Sequence, residues 1–515
     1  MSYKCDCYKL IEKKAISAGM FSFTILCPEV ASLAKCGQFV HILVPGFTLR
    51  RPISICEVNA EKGTIRIVFE IRGAGTDKLA DINVGDDIDM IAPLGNGFSV
   101  LDVGSDKRII VIGGGIAGVL CAYKLKQRGV NCIILEADKI CRGVTPNTTA
   151  KITSQHGFIF DKLIKSFGEE KTRMFLDANE KAIGDYRKLA EKIPCDFEII
   201  DNFIYCKDSM KKVEKELSAL EKVSFPAEFV GDIPVPIEIV GAVKFRNQAQ
   251  FNPLKLLSEL SKDLEIYENS KVIEVRGNTA ITFHGDVVAD KIIIATHFPF
   301  MNKRGAYFVK LYQERSYLIA YENGPKVNGM YLDEATGGYS FRNYKNYLIV
   351  GGGDHRTGKQ GGAYTQIRNF AKIHYPDCPE KYHWATQDCM SLDSVPYIGQ
   401  YSPKTPNLFV ATGFNKWGMT SAMVSANLLA DLVMGKDNEY KEVFLPSRSV
   451  LTTQLFVNLG ETAINLATPT TKRCPHMGCA LKWNPDEHTW DCPCHGSRFT
   501  KDGQVIENPA TDDLK

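Results

Sequence analysis

The sequence has little net charge and no apolar run long enough to cross a membrane. Its 515 residues include 62 Lys and Arg against 60 Asp and Glu, which gives a formal net charge of +2. This balance does not favour nucleic acid or an anionic membrane as a partner. The most apolar run, residues 109–125, is rich in glycine and shorter than the roughly 20 residues that a transmembrane helix needs. We therefore expect no membrane span and no nucleic-acid binding.

The N-terminal stretch also lacks the apolar core of a secretory signal peptide, so we expect a cytoplasmic protein. In that compartment 16 cysteines do not form a disulfide framework, and most of them are expected to be buried thiols. Low-complexity segments and heptad repeats are missing as well. The length predicts several domains, and an apolar content of 44 % is enough for well-packed cores.

Two loops near the C-terminus each carry a cysteine and a histidine. The first reads CPHMGC from Cys474, and the second reads CPCHGS from Cys492. A thiolate and an imidazole on each loop are the ligands of a Rieske [2Fe–2S] centre, in which two His replace two Cys on one iron. Mixed Cys and His ligands also bind zinc, which is the alternative. The spacing favours iron, because the His follows its Cys by two residues on one loop and by three on the other, unlike common zinc motifs.

These paired loops closely resemble those of the Rieske family. The resemblance implies four metal ligands and one disulfide: Cys474 and Cys492 on one iron, His476 and His495 on the other, and Cys479 bonded to Cys494. A cluster of this kind moves single electrons. We therefore expect the rest of the chain to supply an electron source.

The second loop departs from the Rieske family at one position. In the family, a Ser two residues after the second His and a Tyr two residues after that Ser both donate hydrogen bonds to the cluster. This sequence keeps Ser497 but has Phe499 in place of the Tyr. Because such donors stabilise the reduced, more negative cluster, we predict a reduction potential below that of relatives with the Tyr.

The cluster segment, residues 471–515, is short for a Rieske domain, so we expect the preceding domain to support it. A linker is expected over residues 441–470, with a strand near 463–466. Within the cluster segment, Trp483 and Trp490 are expected to form a small core.

Residues 1–100 read as short strands divided by Gly, Pro and charged turns, which is typical of a small antiparallel β-barrel. The expected strands are Tyr8–Lys13, Phe21–Cys27, Gly37–Val44, Pro52–Val58 and Thr64–Ile71.

Four motifs in this region, GQFV, RPISI, GAGT and PLGNGF, resemble the flavin-binding barrel of the ferredoxin-reductase type. They are most similar to the electron-transfer subunit of bacterial dihydroorotate dehydrogenase. The resemblance implies flavin contacts from Arg51 and Ser54, and pyrophosphate contacts from Gly75 and Thr76. An Arg fork and a glycine-rich backbone suit anionic oxygens. The family's nicotinamide domain and four-Cys cluster do not follow, so the barrel either keeps its own FAD or has become a docking module.

A second dinucleotide signal follows the barrel. Gly113, Gly115 and Gly118 fit the pattern G-x-G-x-x-G between an apolar strand and a helix, and Glu136 ends the next strand. The glycines permit a tight turn, the approach of a pyrophosphate to the helix N-terminus, and close packing of helix on strand. Glu136 is expected to hold the ribose hydroxyls. The combination favours a cofactor site over a glycine-rich core turn.

The stretch RGVTPNTTAKITSQHG, residues 142–157, resembles the flavin loop of the D-amino-acid-oxidase-like FAD enzymes, in the branch fused to Rieske domains. The resemblance spans residues 106–440 and implies a Rossmann-type α/β domain that binds FAD. Its further implied flavin contacts are Thr149, Lys151, His156, Gly413, Gly418 and Thr420.

Two insertions, about 158–290 and 300–392, are expected to form an α+β substrate domain whose sheet covers the flavin. Helices are predicted over 169–192 and 210–221. Arg342 and His355 are candidates for the substrate pocket, because an Arg is suited to clamp a substrate carboxylate.

The sequence thus predicts a multidomain protein with an antiparallel β-barrel, an α/β FAD domain carrying an inserted α+β domain, and a small β Rieske segment. The predicted activity is FAD-dependent oxidation of a small organic donor, an amine or amino acid by analogy. Electrons would pass from FAD to the [2Fe–2S] cluster and on to a redox carrier or partner protein. Two alternatives stay open, which are an electron-transfer adaptor that docks through the barrel and a zinc-stabilised flavoprotein. No catalytic acid or base can be named from the sequence.

Overall fold

The computed structural model describes residues 3–35, 37–95, 109–301, 304–449 and 451–514. The end of the PLGNGF motif, Asn96 to Phe98, lies outside the described residues. Arg108 and the expected domain junction between 100 and 106 lie outside them too. The chain divides into two compact units, residues 1–105 with 284–286 and residues 106–283 with 287–515.

The first unit contains a closed six-stranded antiparallel barrel. Its strands are β1 (Lys4–Ser17), β2 (Met20–Leu26), β3 (Phe39–Ile42), β4 (Arg51–Asn59), β5 (Thr64–Glu70) and β6 (Asp87–Leu94), and its helices are α1 (Pro28–Ala31) and α2 (Ala74–Ala80). The strand order β1-β2-β5-β4-β3-β6 confirms the predicted barrel. Alternate apolar side chains such as Phe23, Ile25 and Ile67 fill its interior. The strand signals miss β6, which closes the barrel between β1 and β3.

From residue 109 onward the chain alternates strands and helices. The strands are β7 (Ile109–Ile112), β8 (Cys132–Leu135), β9 (Lys151–Ile152), β10 (Glu198–Cys206), β11 (Glu228–Val230), β12 (Gly241–Gln250), β13 (Glu265–Tyr267), β14 (Val272–Arg276), β15 (Thr279–Thr282), β16 (Gly285–Val288), β17 (Lys291–Ile294), β18 (Leu311–Glu322), β19 (Met330–Asp333), β20 (Ser340–Tyr344), β21 (Tyr347–Arg356), β22 (Glu380–Ser391), β23 (Tyr397–Gln400), β24 (Leu408–Thr412), β25 (Lys482–Asn484), β26 (Thr489–Asp491), β27 (Arg498–Thr500) and β28 (Val505–Glu507). The helices are α3 (Ile116–Gln127), α4 (Phe160–Ala190), α5 (Met210–Lys222), α6 (Pro253–Ser261), α7 (Tyr307–Lys310), α8 (Ala363–His374), α9 (Gly418–Val433), α10 (Lys441–Phe444) and α11 (Thr453–Ala467).

A six-stranded sheet in the order β13-β8-β7-β17-β24-β23 forms the centre of the second unit. Its neighbouring strands are parallel except for the pair β23 and β24. The central strand β7 is buried along its whole length, as expected where helices cover both faces of a parallel sheet. This sheet confirms the predicted Rossmann-type architecture.

A larger sheet, here called the inserted sheet, draws its strands from both predicted insertions. Its order is β11-β12-β10-β19-β20-β21-β18-β22, with β9 paired to β12. The long strand β18 lies between β21 and β22 and is antiparallel to both. The two insertions therefore fold together into one sheet.

The two helices predicted in the first insertion are confirmed as α4 and α5, but α4 begins at Phe160 rather than at 169. The carboxylate of Glu216 on α5 accepts hydrogen bonds from the backbone N–H of Ile159 and Phe160, at 2.9 and 3.0 Å, and so caps this end of α4. Gly168 has a φ of 83° and interrupts the helical geometry. The local helix signal therefore starts after Gly168, while a distant carboxylate stabilises the turns before it.

The strand predicted near residues 463–466 is wrong, because that stretch belongs to helix α11. The side chain of Thr452 caps the helix by accepting a hydrogen bond from the backbone N–H of Leu455, at 3.4 Å. The expected linker over 441–470 is thus largely helical. The end of α11 reaches the first cluster loop, where the N–H of Ala480 donates to the main-chain oxygen of Asn465 at 2.9 Å.

The cluster segment folds into a small antiparallel sheet in the order β25-β26-β27-β28. The rings of Trp483 and Trp490 are in contact across β25 and β26, with centroids 5.2 Å apart. Trp483 is 39 % exposed, so the expected tryptophan core is wrong for this residue. Leu481 and Phe499 instead pack with the buried cysteines of the loops. Among the described residues, no helix has both the length and the apolarity to cross a bilayer.

Candidate cofactor sites

A cavity of about 920 Å³ lies where the inserted sheet meets the carboxyl ends of β7, β17 and β24. Eight flavin contacts predicted from the sequence line it: Gly113, Gly115, Glu136, Thr149, Lys151, His156, Gly413 and Gly418. Gly118 and Thr420 are not in the lining, but each contacts a residue that is. The structure therefore gathers the predicted FAD contacts around one space.

The glycine turn leaves no room for side chains where backbone meets backbone. Gly113 has a φ of +108°, and a Cβ there would lie 2.6 Å from the main-chain oxygen of Ala295. A Cβ on Gly118 would lie 1.8 Å from the oxygen of Gly113. Gly115 is different, since its nearest neighbour would be the Thr145 hydroxyl at 3.4 Å. The absence of a side chain at Gly115, at the start of α3, suits the approach of a pyrophosphate to the helix N-terminus.

Glu136 closes the other side of this turn. Its carboxylate accepts a hydrogen bond from the backbone N–H of Gly114 at 2.6 Å. Its second oxygen accepts from the N–H of Asp138 at 2.9 Å. These bonds hold the carboxylate at the end of β8 in the position where ribose hydroxyls are bound in dinucleotide folds.

His156 is fixed at the start of α9. Its Nε2 lies 2.9 Å from the main-chain oxygen of Thr153 and 3.0 Å from the hydroxyl of Thr420. Because the carbonyl only accepts, Nε2 carries the proton. The ring is stacked on Trp417, with centroids 5.0 Å apart and planes at 2°. Burial lowers the pKa of His156 to about 3, so the ring is neutral and holds the flavin loop by hydrogen bonding and packing.

Lys151 faces the same cavity from β9. Its ammonium donates to the hydroxyl of Thr149 at 3.2 Å. Burial and the nearby Arg342 lower the pKa of Lys151 to about 7, although Asp354 raises it. Lys151 is therefore only partly protonated at neutral pH.

The two substrate candidates from the sequence are not in the cavity lining. The guanidinium of Arg342 is buried and donates to the main-chain oxygen of Ala150 at 3.4 Å. His355 lies 3.0 Å from the hydroxyl of Tyr317 and 2.9 Å from the main-chain oxygen of Arg356. Arg342 and His355 support the fold of the inserted sheet and leave the cavity wall to other residues.

Sequence reasoning missed a charged cluster on the inserted sheet that does line the cavity. Glu314 on β18 lies directly opposite Asp388 on β22 in the strand register. The ammonium of Lys416 lies 2.9 Å from Glu314 and 2.7 Å from Asp354 on β21. Burial raises the pKa of Asp388 to about 7; Lys416 lowers it, and Asp354 and Glu314 raise it. These strands carry other polar residues as well, so no local signal marks the three acids, whose proximity arises only in the folded sheet.

The two Cys/His loops meet at the other candidate site. Cys474 and Cys492 are buried and their thiols interact, while Cys479 and Cys494 form a disulfide. The rings of His476 and His495 lie with centroids 4.9 Å apart. The Nδ1 atom of His495 is buried and has no hydrogen-bond partner among the described residues. A buried imidazole nitrogen without a partner fits metal ligation, since buried polar atoms otherwise find hydrogen bonds.

Ser497 and Phe499 lie beside this site. The Ser497 hydroxyl accepts a hydrogen bond from the backbone N–H of Ala510, at 2.9 Å. Phe499 is fully buried against the same cysteines. The Rieske family has a Tyr hydroxyl two residues after the Ser, and in this chain the apolar ring of Phe499 takes that position.

The inserted sheet holds the second cluster loop, residues 492–497. The side-chain amide of Gln313 donates to the main-chain oxygen of His495 at 2.8 Å. The guanidinium of Arg356 donates to the oxygens of Pro493 and Cys494, at 2.9 and 3.0 Å. A Cβ on Gly358 would lie 2.7 Å from the backbone nitrogen of Pro493. The preceding domain thus supports the cluster segment, as predicted, through direct contacts with the backbone of its second loop.

A buried ion-pair network joins the inserted sheet to the cluster segment. Arg315 on β18 is 1 % exposed and its Nε donates to the carboxylate of Glu487 at 3.0 Å. Arg498 donates to Glu487 at 2.8 Å and to Asp491 at 3.2 Å. Such a network is stable only with every charge paired, so it fixes the cluster segment against the sheet.

The end of the cluster segment also reaches the cavity. Residues 505–508 are among its lining, with 510 and 511. The Asn508 amide donates to the main-chain oxygens of Thr296 and Phe298, both at 2.7 Å. Lys271 donates to the oxygen of Thr511 at 2.6 Å. The flavin cavity and the cluster site therefore share a wall.

In the barrel, two predicted motifs converge. The guanidinium of Arg51 lies against Gly75, where a Cβ would be 2.2 Å from its Nε. Thr76 accepts a hydrogen bond from the backbone N–H of Arg72 at 2.9 Å and orders the start of α2. Ser54 is exposed on β4. An Arg beside a helix start is a suitable anion site.

Family models match most of the chain. A model described as FAD dependent oxidoreductase (DAO) matches residues 108–432, and one described as Rieske [2Fe-2S] domain matches residues 434–515. The chain belongs to the DAO family of FAD-dependent oxidoreductases. With its Rieske domain, it is an oxidoreductase whose cofactors are FAD and a [2Fe–2S] cluster.

The relatives agree with this architecture. YhfW of Bacillus subtilis (strain 168), named as a Rieske 2Fe-2S iron-sulfur protein, is 33 % identical over 484 residues, which covers 81 % of this chain and 94 % of YhfW. The electron transfer subunit of dihydroorotate dehydrogenase B (NAD(+)) from Enterococcus faecalis (strain ATCC 47077 / OG1RF) is 32 % identical over 130 residues. That match covers 25 % of this chain and 49 % of the subunit, so the likeness spans about half of that relative.

Solved structures share the fold of the second unit at low identity. L-proline dehydrogenase from P. horikoshii has a TM-score of 0.57 and 17 % identity, covering 67 % of this chain and 98 % of its own. Glycine oxidase from Geobacillus kaustophilus has a TM-score of 0.55 and 16 % identity, covering 66 % of this chain and 98 % of its own.

Proposed function

We propose that the protein oxidises a small organic donor with a C–N bond at the FAD site and passes the electrons through the Rieske cluster to a redox carrier or partner protein. The donor class is supported by the solved neighbours, which are named for their action on glycine and proline. The residues that would hold the cofactors are those predicted from the sequence. For FAD they are the eight that line the cavity, with Gly118 and Thr420 behind them, and for the cluster they are Cys474, His476, Cys492 and His495.

The observation that carries this proposal is the position of β18 between the two sites. Glu314 lines the cavity, while the adjacent Gln313 donates to the main-chain oxygen of the proposed iron ligand His495. A single layer of sheet therefore separates the donor space from the cluster. The shared wall at Asn508 supplies a second direct contact.

The bound flavin supplies the exchange between two-electron and one-electron chemistry, and the cluster carries single electrons. The chain contributes binding, orientation and exclusion of water. The glycine turn and the start of α3 receive the pyrophosphate, and Glu136 receives the ribose. His156 on Trp417 keeps the flavin loop in a fixed, uncharged environment.

The barrel supports a docking role as well. Its likeness to the dihydroorotate dehydrogenase subunit favours a redox protein as the partner. Arg51 beside Gly75 supports a second FAD in the barrel as part of the proposal. If the donor site were inactive, the same features would make the protein an electron-transfer adaptor.

We further propose a cytoplasmic location. Apart from Cys479 and Cys494, the cysteines of the described residues form no disulfide, and Cys5, Cys7 and Cys56 are exposed. Exposed thiols persist in a reducing compartment.

Cofactor content and anaerobic reduction test the proposal together. We expect two FAD per chain, and a Rieske EPR signal after reduction with dithionite. A panel of amines and amino acids should bleach the flavin and then develop the same EPR signal without dithionite. A content of one FAD per chain would show that the barrel binds no flavin of its own. Bound zinc without an EPR signal would overturn the proposed electron transfer through a Rieske cluster. A fully loaded protein that no C–N donor reduces would favour the adaptor.

A further inference from the structure

We propose that the donor is a cationic amine without a carboxylate, bound by its ammonium group between Glu314 and Asp388. The inference rests on the proposed function, because it names the substrate class for the same cavity. It departs from the amino-acid substrates after which the solved neighbours are named.

The two acids are placed as a pair by the register of the sheet. Glu314 on β18 is directly opposite Asp388 on β22, and Ser316 is directly opposite Thr386. All four residues line the cavity, whereas Gln313 and Arg315 do not. Directly opposed residues hold their Cβ atoms roughly 4.5–5.5 Å apart. One ammonium group can therefore reach both carboxylates.

Unpartnered polar atoms mark the same patch as a ligand site. The Thr386 hydroxyl has no hydrogen-bond partner among the described residues, although Thr386 is only 8 % exposed. The hydroxyl of Ser316, the residue opposite Thr386, also has no hydrogen-bond partner among the described residues. The Asp388 carboxylate makes no hydrogen bond or ion pair within the described part of the chain. An ammonium or secondary amine brings N–H donors, which is what such acceptors require.

The charge of the wall selects a cation. Lys416 is engaged by Glu314 and Asp354, and burial and Arg342 lower the pKa of Lys151, the other lysine facing this cavity near Asp354, to about 7, so the three acids outnumber the two bases. A substrate carboxylate placed here would meet charges of its own sign. The negative excess is thus suited to bind an amine and to reject an amino acid.

The described arginines of the sheet are absent from the cavity lining and do not form a carboxylate clamp there. Arg315 is paired with Glu487, and Arg356 holds the second cluster loop. Arg342 donates to the oxygen of Ala150 and is absent from the lining. Among the lining residues the arginine is Arg142, which lies beside Asp138 next to the Glu136 end of the cavity.

The reaction of such a donor is balanced with the proposed cofactors. The amine gives up its N–H proton to the Asp388 carboxylate, the α C–H bond breaks, and a C=N bond forms. The hydride pair of electrons passes to FAD and leaves, one electron at a time, through the cluster to the external carrier. Water then hydrolyses the resulting iminium to a carbonyl group and an amine or ammonium group, and the proton on Asp388 is released to solvent.

Matched donor pairs test the substrate class on the full-length, cofactor-loaded protein. The pairs are pyrrolidine and proline, dimethylamine and N-methylglycine, and cadaverine and lysine, which differ within each pair only by the carboxylate. We expect kcat/KM for anaerobic flavin reduction to be at least about tenfold higher for the amine of a pair. Amino acids that exceed their amines would overturn the inference and leave the proposed function standing. Failure of every compound to reduce the flavin would overturn both.

Variants test the two acids. In D388N and E314Q we expect the amine Kd to rise by roughly tenfold, with the FAD content and the Rieske EPR signal unchanged. E322Q is the matched control, because Glu322 ends the same strand outside the cavity lining. An unchanged amine Kd in both acid variants would overturn the inference. If either variant loses FAD, the inference is tested instead by the amine Kd of the wild-type protein measured across pH. A Kd that does not change with pH would contradict binding at Asp388.

Discussion

Gln313 and His495 are joined by a hydrogen bond in which the side-chain Nε2 of Gln313 donates to the main-chain oxygen of His495 at 2.8 Å. The same nitrogen donates to the oxygen of Asn508 at 3.0 Å. Glu314, the next residue on β18, lines the flavin cavity. Two consecutive residues of one strand therefore contact the donor site and a proposed iron ligand. The inserted sheet therefore separates the two candidate cofactor sites.

The glycine turn separates a cofactor effect from a folding effect. G115A should weaken FAD binding by roughly tenfold without loss of stability, because the added methyl makes an ordinary 3.4 Å contact with the Thr145 hydroxyl but takes space that the pyrophosphate would occupy. G118A should instead lower the free energy of unfolding by about 3 kcal/mol, since its methyl would overlap the oxygen of Gly113. FAD titration of the apoprotein and thermal unfolding measure the two effects. Equal stability loss in both variants would contradict this division.

Gly358 should be required for docking of the second cluster loop. In G358A the methyl group would collide with the backbone of Pro493, so we expect a loss of about 2 kcal/mol and slower electron transfer from flavin to cluster. Gly435 is the control, because it has φ +73° against +74° for Gly358 and no atom within 4 Å of its Cβ position. Stopped-flow absorbance with EPR after rapid freezing measures the transfer. The same rate in G358A and G435A would show that the close contact is unimportant.

Phe499 should set the cluster potential. In F499Y, a hydroxyl beside the cysteines should donate to the cluster and stabilise its reduced form. One hydrogen bond of about 1 kcal/mol corresponds to roughly 40 mV for a one-electron couple, so the potential should rise by that order. A redox titration followed by EPR measures it, with F499L as the control for packing. No rise, or a fall, in F499Y would count against the prediction.

Amine binding should strengthen as pH rises through neutrality. The pKa of Asp388 is about 7, so its carboxyl is neutral below that pH and charged above it. The groups that surround it are Glu314 on β18, Asp354 on β21 and Lys416 before α9, with Arg315 also contributing. A donor with a pKa near that of Lys, about 10.4, stays cationic over this range. Equilibrium binding to the oxidised protein from pH 6 to 8 should show a Kd that falls by up to about tenfold. D388N should remove most of this trend, and the remainder comes from Lys151, which lines the same cavity and also has a pKa of about 7.

Local patterns were sufficient for the parts of the fold that local chemistry determines. The turn around Gly113, the barrel strands and the Cys/His loops each carry their signal within a few neighbouring residues. The strand expected at 463–466 failed because helix α11 is started by Thr452, a cap outside the stretch whose β-like composition suggested the strand. The same is true of α4, whose first turns depend on Glu216 from another helix.

The donor side of the site could not be predicted in the same way. Glu314 and Asp388 become neighbours only through the pairing of β18 with β22, which a single sequence does not specify. Arg342 looked suitable for a pocket because of its residue type, but the sheet directs it to the oxygen of Ala150. Side-chain direction and strand partner are properties of the folded sheet.

The contact of Asn508 with Thr296 and Phe298 has a consequence for biosynthesis. Residues 505–511 complete the wall of a cavity whose glycine turn begins at Gly113, so translation must proceed almost to residue 511 before the flavin can be enclosed. We therefore expect tight flavin binding to require a folded cluster segment.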